Sequence, residues 1–239
     1  MTAQSVRPSN GLPFTLAIAA QPLQFLLTVE GDMVAPSLEQ GRQIHNMTAG
    51  SPEGVAGARS FGDLSHAVFV PVEPPASGAG KLLIVDYWNS VDGLRQFFSN
   101  PQVGEGAKLL YASRDPVVWA TTPSMPRFNL PAPTGRDDRY LGMIRGPVVS
   151  RAAAEASLAK ALVALANTAR AKGLMMRDWY FRADTPDSLE VIGIDLWFDA
   201  EGMMEVYNDP AEMAPFADLF TAAPVSSVWR KPEGQWVEW

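Results

Sequence analysis

The chain has 239 residues, 47% of them hydrophobic and 19% charged, a balance that builds a core without cross-links and suits either one large domain or two smaller ones. Its formal net charge is -7 and its 19 lysines and arginines form no basic run, which argues against a nucleic-acid or anionic-membrane partner. With 0 cysteines, a disulfide framework, a thiolate nucleophile, cysteine-ligated zinc and iron–sulfur clusters are excluded, and the composition fits a cytoplasmic location.

Residues 1–13 read as a flexible polar arm. The apolar stretch Phe14 to Ala20 is too short for a secretory signal, and no run approaches the roughly 18 apolar residues that a membrane span requires. A first unit, residues 14–121, is expected to run as strand 24–30, helix 37–48, strands 66–72 and 81–88, a helix capped by Ser90, and strand 117–121. Within it, a glycine-rich loop from Gly50 to Gly62 is expected to replace part of the first helix. Residues 122–138 carry Pro123, Pro126, Pro131 and Pro133 and read as a linker without regular structure.

The second unit, residues 139–239, opens with a strand from Tyr140 to Arg145. Ser150 caps a helix from Arg151 to Lys172 that stops at Gly173. Along that helix Ala154, Leu158, Ala161, Leu162, Leu165 and Ala169 recur at three- and four-residue steps and form one apolar face. Met175 to Arg182 and Leu189 to Trp197 form a hairpin, Asp199 caps a short helix through Tyr207 that stops before Pro210, and Val225 to Trp229 supplies the last strand.

The two units are copies of one pattern. Leu83 to Leu94 aligns with Ile192 to Met203 at a constant offset of 109, so that Asp86, Trp88 and Gly93 fall on Asp195, Trp197 and Gly202. The match continues without a gap from Gln96 to Pro101 on Glu205 to Pro210. A duplication explains this economically, and each copy reads β-α-β-β-α-β, the ferredoxin-like order.

The strand ending in Asp-x-Trp, followed by a capped helix with a glycine and then Asn-Pro or Asn-x-Pro, resembles the antibiotic-biosynthesis monooxygenase-like members of the dimeric α/β-barrel superfamily. The resemblance implies an α+β protein in which two tandem ferredoxin-like units form an intrachain α/β barrel. Members of that superfamily include cofactor-independent monooxygenases of aromatic substrates, haem-degrading enzymes and isomerases. Chlorite dismutase-like proteins bind haem through a histidine of the second unit, whereas His45 and His66 both lie in the first. The Gly-x-x-Asp-Gly signature of dye-decolourising peroxidases has no match at Phe61-Gly62-Asp63-Leu64.

Side chains alternate along a strand, so Asp86 and Trp88 share a face, as do Asp195 and Trp197. Leu83, Val85 and Tyr87, with Ile192, Ile194 and Leu196, occupy the opposite apolar faces and are expected to meet the helices, which leaves the aspartates and tryptophans for the barrel interior. There Trp88, Asp195 and Trp197 are candidate ligand contacts; the plainer alternative has each aspartate pair with an arginine or cap a loop, and each tryptophan fill the barrel. His45 and His66 have no counterpart in the second copy and, with Asp86, are the candidate catalytic residues, because imidazole suits removal of an acidic proton from a phenol or hydroquinone near neutrality. The competing role for each is a satisfied core or surface histidine. No metal is expected, since His45, His66 and Asp86 show no close ligand spacing, and no nucleotide, P-loop or G-x-S-x-G motif occurs. The expectation is therefore an oxygenase or isomerase that needs no cofactor and takes a small-molecule ligand in a pocket bordered by His45, His66, Asp86 and Trp88. A non-catalytic binding or assembly protein and a haem-binding relative stand as alternatives. Helix faces and the Trp236 and Trp239 segment are available for homo-oligomer formation.

Overall fold

A computed structural model describes residues 24–73, 75–125, 127–129, 139–185 and 187–239, without the side chains of Phe128 and of residues 163–167. The expected arm, Phe14 to Ala20, Pro126, Pro131, Pro133 and the side chain of Leu165 lie outside the described residues. The first unit comprises β1 (Phe25–Met33), α1 (Leu38–Met47), α2 (Pro52–Ser60), β2 (Asp63–Pro71), β3 (Lys81–Trp88), α3 (Val91–Phe98), α4 (Pro101–Leu110) and β4 (Tyr111–Ala120). After β5 (Phe128–Asn129), the second comprises β6 (Tyr140–Pro147), α5 (Arg151–Ala171), β7 (Leu174–Arg182), β8 (Glu190–Trp197), α6 (Ala200–Asn208), α7 (Pro210–Met213) and β9 (Val225–Arg230). None of the described helices is long and apolar enough to cross a membrane.

Both units use one strand order, β4-β1-β3-β2 and β9-β6-β8-β7, with every neighbouring pair antiparallel. They join where Val70 and Pro71 of β2 meet Arg230 and Trp229 of β9, and where Trp119 and Ala120 of β4 meet Arg182 and Phe181 of β7. These two seams close eight strands into a ring, with helices packed on its outside. Inside the segment expected to lack regular structure, Phe128 and Asn129 pair with Arg177 and Met176, a two-residue extension beside the second seam.

The ring interior reverses the expected faces. Leu83, Val85 and Tyr87 pack there with Ile192, Ile194 and Leu196, whereas Trp88 joins Ala58, Leu94 and Leu110 of the helices, and Trp197 joins Ala169, Met203 and Val206. Alternation determines which side chains travel together but not which way they turn. Apolar side chains fill most of the space enclosed by the eight strands, where the buried Asp178 is held by the Arg127 guanidinium and the Tyr180 hydroxyl, whereas Asp86 and Asp195 turn to the layer between sheet and helices and find their partners there.

The Gly50 to Gly62 segment is also not a loop: Ser51 caps α2, with Pro52 in its first turn. The same device starts α4 at Asn100 and Pro101 and α7 at Asp209 and Pro210. Proline lacks only an N–H that a first turn leaves unbonded, so here it opens helices as well as ending them. The repeated glycines have a packing cause. A Cβ on Gly93 would lie 1.9 Å from the carbonyl oxygen of Phe61, and one on Gly202 would lie 1.9 Å from that of Lys172.

After β9, residues 231–239 cross to the first unit. His66 N–H donates to the Trp239 carbonyl at 2.7 Å, Trp239 N–H donates back to His66 O at 3.2 Å, and Val68 N–H donates to Glu238 Oε1 at 3.0 Å. Trp236 is buried against His45 and Trp239 stacks on His66, so these two tryptophans, expected to be available for association, are engaged within the chain.

Candidate active site

Between the first unit's sheet and its helices lies a cavity of about 500 Å³. Ile84, Trp88, Phe61, Phe97 and Phe98 give it a largely aromatic and aliphatic lining, and Asp63, His66 and Asp86 bring polar groups to it. Of the four residues expected to border the site, His66, Asp86 and Trp88 line this cavity; His45 lies behind His66.

The ladder register produces the polar cluster. His66 stands opposite Asp86 across β2 and β3, which brings Nδ1 to 2.7 Å from Oδ1. His45, buried on the inward face of α1, places its Nε2 2.9 Å from Nε2 of His66, and its Nδ1 lies 3.0 Å from Oδ1 of Asn46. The Trp239 ring covers His66 at 4.4 Å between centroids and 13° between planes.

Asp63 escaped the sequence reading. It begins β2 opposite Trp88, directly after Gly62, whose φ of 100° turns the chain off α2. Its Oδ1 accepts from Ser65 N–H at 3.2 Å, and the residue is only 5% exposed. A carboxylate just ahead of the apolar run Ala67 to Pro71 was the available signal, but a strand expected to begin at His66 left Asp63 in the preceding loop. Asn46 and Trp239 were missed because their roles depend on contacts between α1 or β2 and the far end of the chain, Val237 with Asn46 and Trp239 with His66.

Burial pushes Asp63 up to about 7, reinforced by the charge of Asp86 and opposed by His66 and the Ser65 N–H. For His66, burial favours the neutral ring, but the charge and hydrogen bond of Asp86, with Asp63 and Glu238 nearby, outweigh it and raise the pKa. Burial and the charge of His66 bring His45 down to about 4. The cluster thus places a carboxyl group that titrates near neutrality beside a histidine that favours its cationic form.

In the second unit the same positions form a closed network. Arg177 stands opposite Asp195 and donates from Nε at 2.7 Å and Nη2 at 2.5 Å, while the Tyr207 hydroxyl donates to Asp195 Oδ2 at 2.9 Å and accepts from Trp197 Nε1 at 3.2 Å. Asp195 therefore has the arginine partner that the plainer alternative called for. Asp195 also borders a smaller cavity of about 320 Å³ with Arg177 and Tyr207, whereas Trp197 is fully buried and does not line it. The two candidate clusters do not share a cavity, because each lies on the helix side of its own half-ring. Among the described residues, no group of three or more His, Asp or Glu side chains is arranged to hold a metal ion.

No protein-family model matches the chain, and no curated protein matches it in sequence. Solved structures match its fold. An anthrone oxidase-like protein superposes with a TM-score of 0.60 at 13% identity, covering 89% of this chain and 92% of its own. A candidate monooxygenase from Fusobacterium nucleatum gives 0.57 at 7% identity, covering 91% and 97%. A chlorite dismutase variant from Candidatus Nitrospira defluvii gives 0.54 at 11% identity, covering 87% and 91%. These likenesses show the fold alone: two ferredoxin-like units whose strands close into one ring, with one chain supplying both halves.

Proposed function

We propose that the protein is a cofactor-independent oxygenase or isomerase acting on a small aromatic or polyketide-like molecule held in the first unit's cavity. The observation that carries this reading is the buried pair Asp63 and Asp86, with His66, at the edge of a cavity whose other walls are aromatic and aliphatic. A general base works best when its pKa lies near the working pH, and Asp63, raised to about 7, meets that condition. A planar ligand against Phe61, Phe97 and Phe98 gives an acidic O–H or C–H proton to Asp63. Asp86 holds His66 beside the reaction, and Trp88 closes the apolar wall.

The resulting anion has two outcomes. In isomerisation it takes the proton back at another atom. In oxygenation of an activated methylene it passes one electron to O2, and the radical pair combines to a peroxide anion. That anion recovers the proton from Asp63 and loses water to leave a carbonyl. One oxygen atom enters the product and the other leaves as water, so CH2 and O2 become C=O and H2O without an external reductant. A dry cavity protects the carbanion until O2 reaches it.

A purely binding or assembly role would suit a wholly apolar cavity with the histidines outside it, which the polar edge does not resemble. Haem ligation needs a free imidazole nitrogen, and all four ring nitrogens of His45 and His66 have partners within hydrogen-bonding distance. The test is O2 uptake with a panel containing anthrone, a hydroquinone and 1-naphthol. Uptake that is lost in Asp63→Asn supports the oxygenase branch; conversion without O2 supports the isomerase branch. Failure of every aromatic probe to bind or react would overturn the reading.

A further inference from the structure

The hydrogen-bond directions around the histidines determine where the protons sit. Asn46 Nδ2 donates to the Gln235 carbonyl at 2.9 Å, and its Oδ1 accepts from Val237 N–H at 2.9 Å. Turning the amide over would set N–H against N–H and oxygen against oxygen, so these two backbone contacts leave one orientation. His45 Nδ1, 3.0 Å from that oxygen, must carry a hydrogen. His45 is fully buried and touches no carboxylate, so it stays neutral and its Nε2 is a lone pair. The 2.9 Å contact between the two Nε2 atoms then requires the hydrogen on His66. At its other nitrogen, 2.7 Å from Asp86 Oδ1, His66 donates again.

We infer that Asn46 is a positioning residue: seated on the backbone of residues 235–237, it fixes the tautomer of His45 and so keeps His66 a doubly protonated cation, which leaves Asp63 to accept the ligand's proton. The usual histidine–aspartate dyad has its polarity reversed here. In a general base the aspartate holds one N–H and the other nitrogen offers a lone pair to the substrate; in this chain that second nitrogen is an N–H committed to His45. The groups facing His66 agree with a cation: Asp86 from β3, Asp63 from β2, neutral His45 from α1, and Glu238 and the Trp239 ring from residues 231–239. The second half of the chain thereby sets the protonation of a cluster in the first. The part of this inference that concerns Asp63 rests on the proposed function, whereas the tautomer lock does not.

The chain has only 2 histidines, so 15N-histidine NMR of the intact protein reads the lock directly. At pH 7 the expected spectrum contains one ring protonated on both nitrogens, which His66→Gln removes, and one neutral ring carrying its hydrogen on Nδ1, the less common tautomer of free histidine. Asn46→Leu should release His45 to the Nε2–H tautomer and lower the proton affinity of His66 about tenfold or more, a shift of about one pH unit. A neutral His66 or an Nε2–H His45 in the unaltered protein overturns the inference, as does an Asn46→Leu spectrum identical to it. If Asn46→Leu does not fold, the spectrum of the unaltered protein decides. An intact lock in a protein that turns over no aromatic probe would sink the proposed function and leave the positioning role standing.

Discussion

His66 and Arg177 occupy equivalent ladder positions in the two units, each facing an aspartate across the adjacent strand with a nitrogen 2.7 Å from a carboxylate oxygen. The difference between them is that imidazole can surrender its proton and guanidinium cannot. Neutralising Asp195 strands a buried arginine charge, so Asp195→Asn should cost about 3–5 kcal/mol, the usual penalty for breaking a buried pair. Asp86→Asn should cost clearly less, because His66 can become neutral in response, yet it should impair turnover. Denaturant unfolding of the two variants side by side checks the ordering, and equal losses would contradict it.

The polar cluster also predicts how stability responds to pH. Asp63 is raised from 3.8 to about 7, so its stabilising contribution is complete below pH 4 and is lost as pH rises through 7. His66 is raised above 6.5, so its contribution is lost on the alkaline side of 6.5. His45 has the opposite sign: depressed from 6.5 to about 4, it costs stability as pH falls through that interval, where it offsets the gain from Asp63. Asp63→Asn should remove the offset, so that stability falls more steeply from pH 6.5 towards 4 than in the unaltered protein. Unfolding midpoints measured across that interval are the check. Turnover should rise with pH along a limb centred near 7.

The repeat and most element positions were legible because they depend on local period and caps. Ser150 and Asp199 do cap α5 and α6, and Ala154, Leu158, Ala161, Leu162 and Ala169 are buried as one face. The inward turn of Leu83, Val85 and Tyr87 was not legible, since a strand's alternation is the same whichever face meets the other sheet. Nor was α2, whose Ser51 and Pro52 start signal was obscured by the glycines around it. The contact between His45 and His66 comes from α1 packing on β2, which no spacing in the chain announces. Asp63 was hidden by a strand boundary placed three residues too late.

Gly93 and Gly202 provide a test of the repeat at the level of packing. Each admits a backbone carbonyl to a point 1.9 Å from where a Cβ would stand, and neither Phe61 O nor Lys172 O can move without displacing the turn before β2 or β7. Gly93→Ala and Gly202→Ala should each cost roughly 1–3 kcal/mol or more by overpacking, outweighing the helix propensity that alanine adds. Thermal unfolding should show both variants below the unaltered protein. A stabilised Gly93→Ala would mean that α3 is free to shift away from Phe61.

The matched tryptophans isolate one hydrogen bond. Trp88 and Trp197 are both fully buried at equivalent positions, but Trp197 donates to the Tyr207 hydroxyl at 3.2 Å, whereas Trp88 Nε1 has no acceptor. The counterpart of Tyr207 in the aligned repeat is Phe98, and the counterpart of Gly142, where a Cβ would lie 1.9 Å from the Tyr207 hydroxyl, is Leu27, so the first unit lacks both the hydroxyl and the space for it. Replacing either indole with phenyl removes similar volume and leaves a similar void. Trp197→Phe also loses a hydrogen bond, worth about 1 kcal/mol, while Trp88→Phe deletes an N–H that was buried without a partner. Trp197→Phe should therefore be the more destabilising of the two by about that amount in urea unfolding. Equal losses, or a larger one for Trp88→Phe, would show that Trp88 Nε1 is bonded in solution, with a water in the cavity as its acceptor.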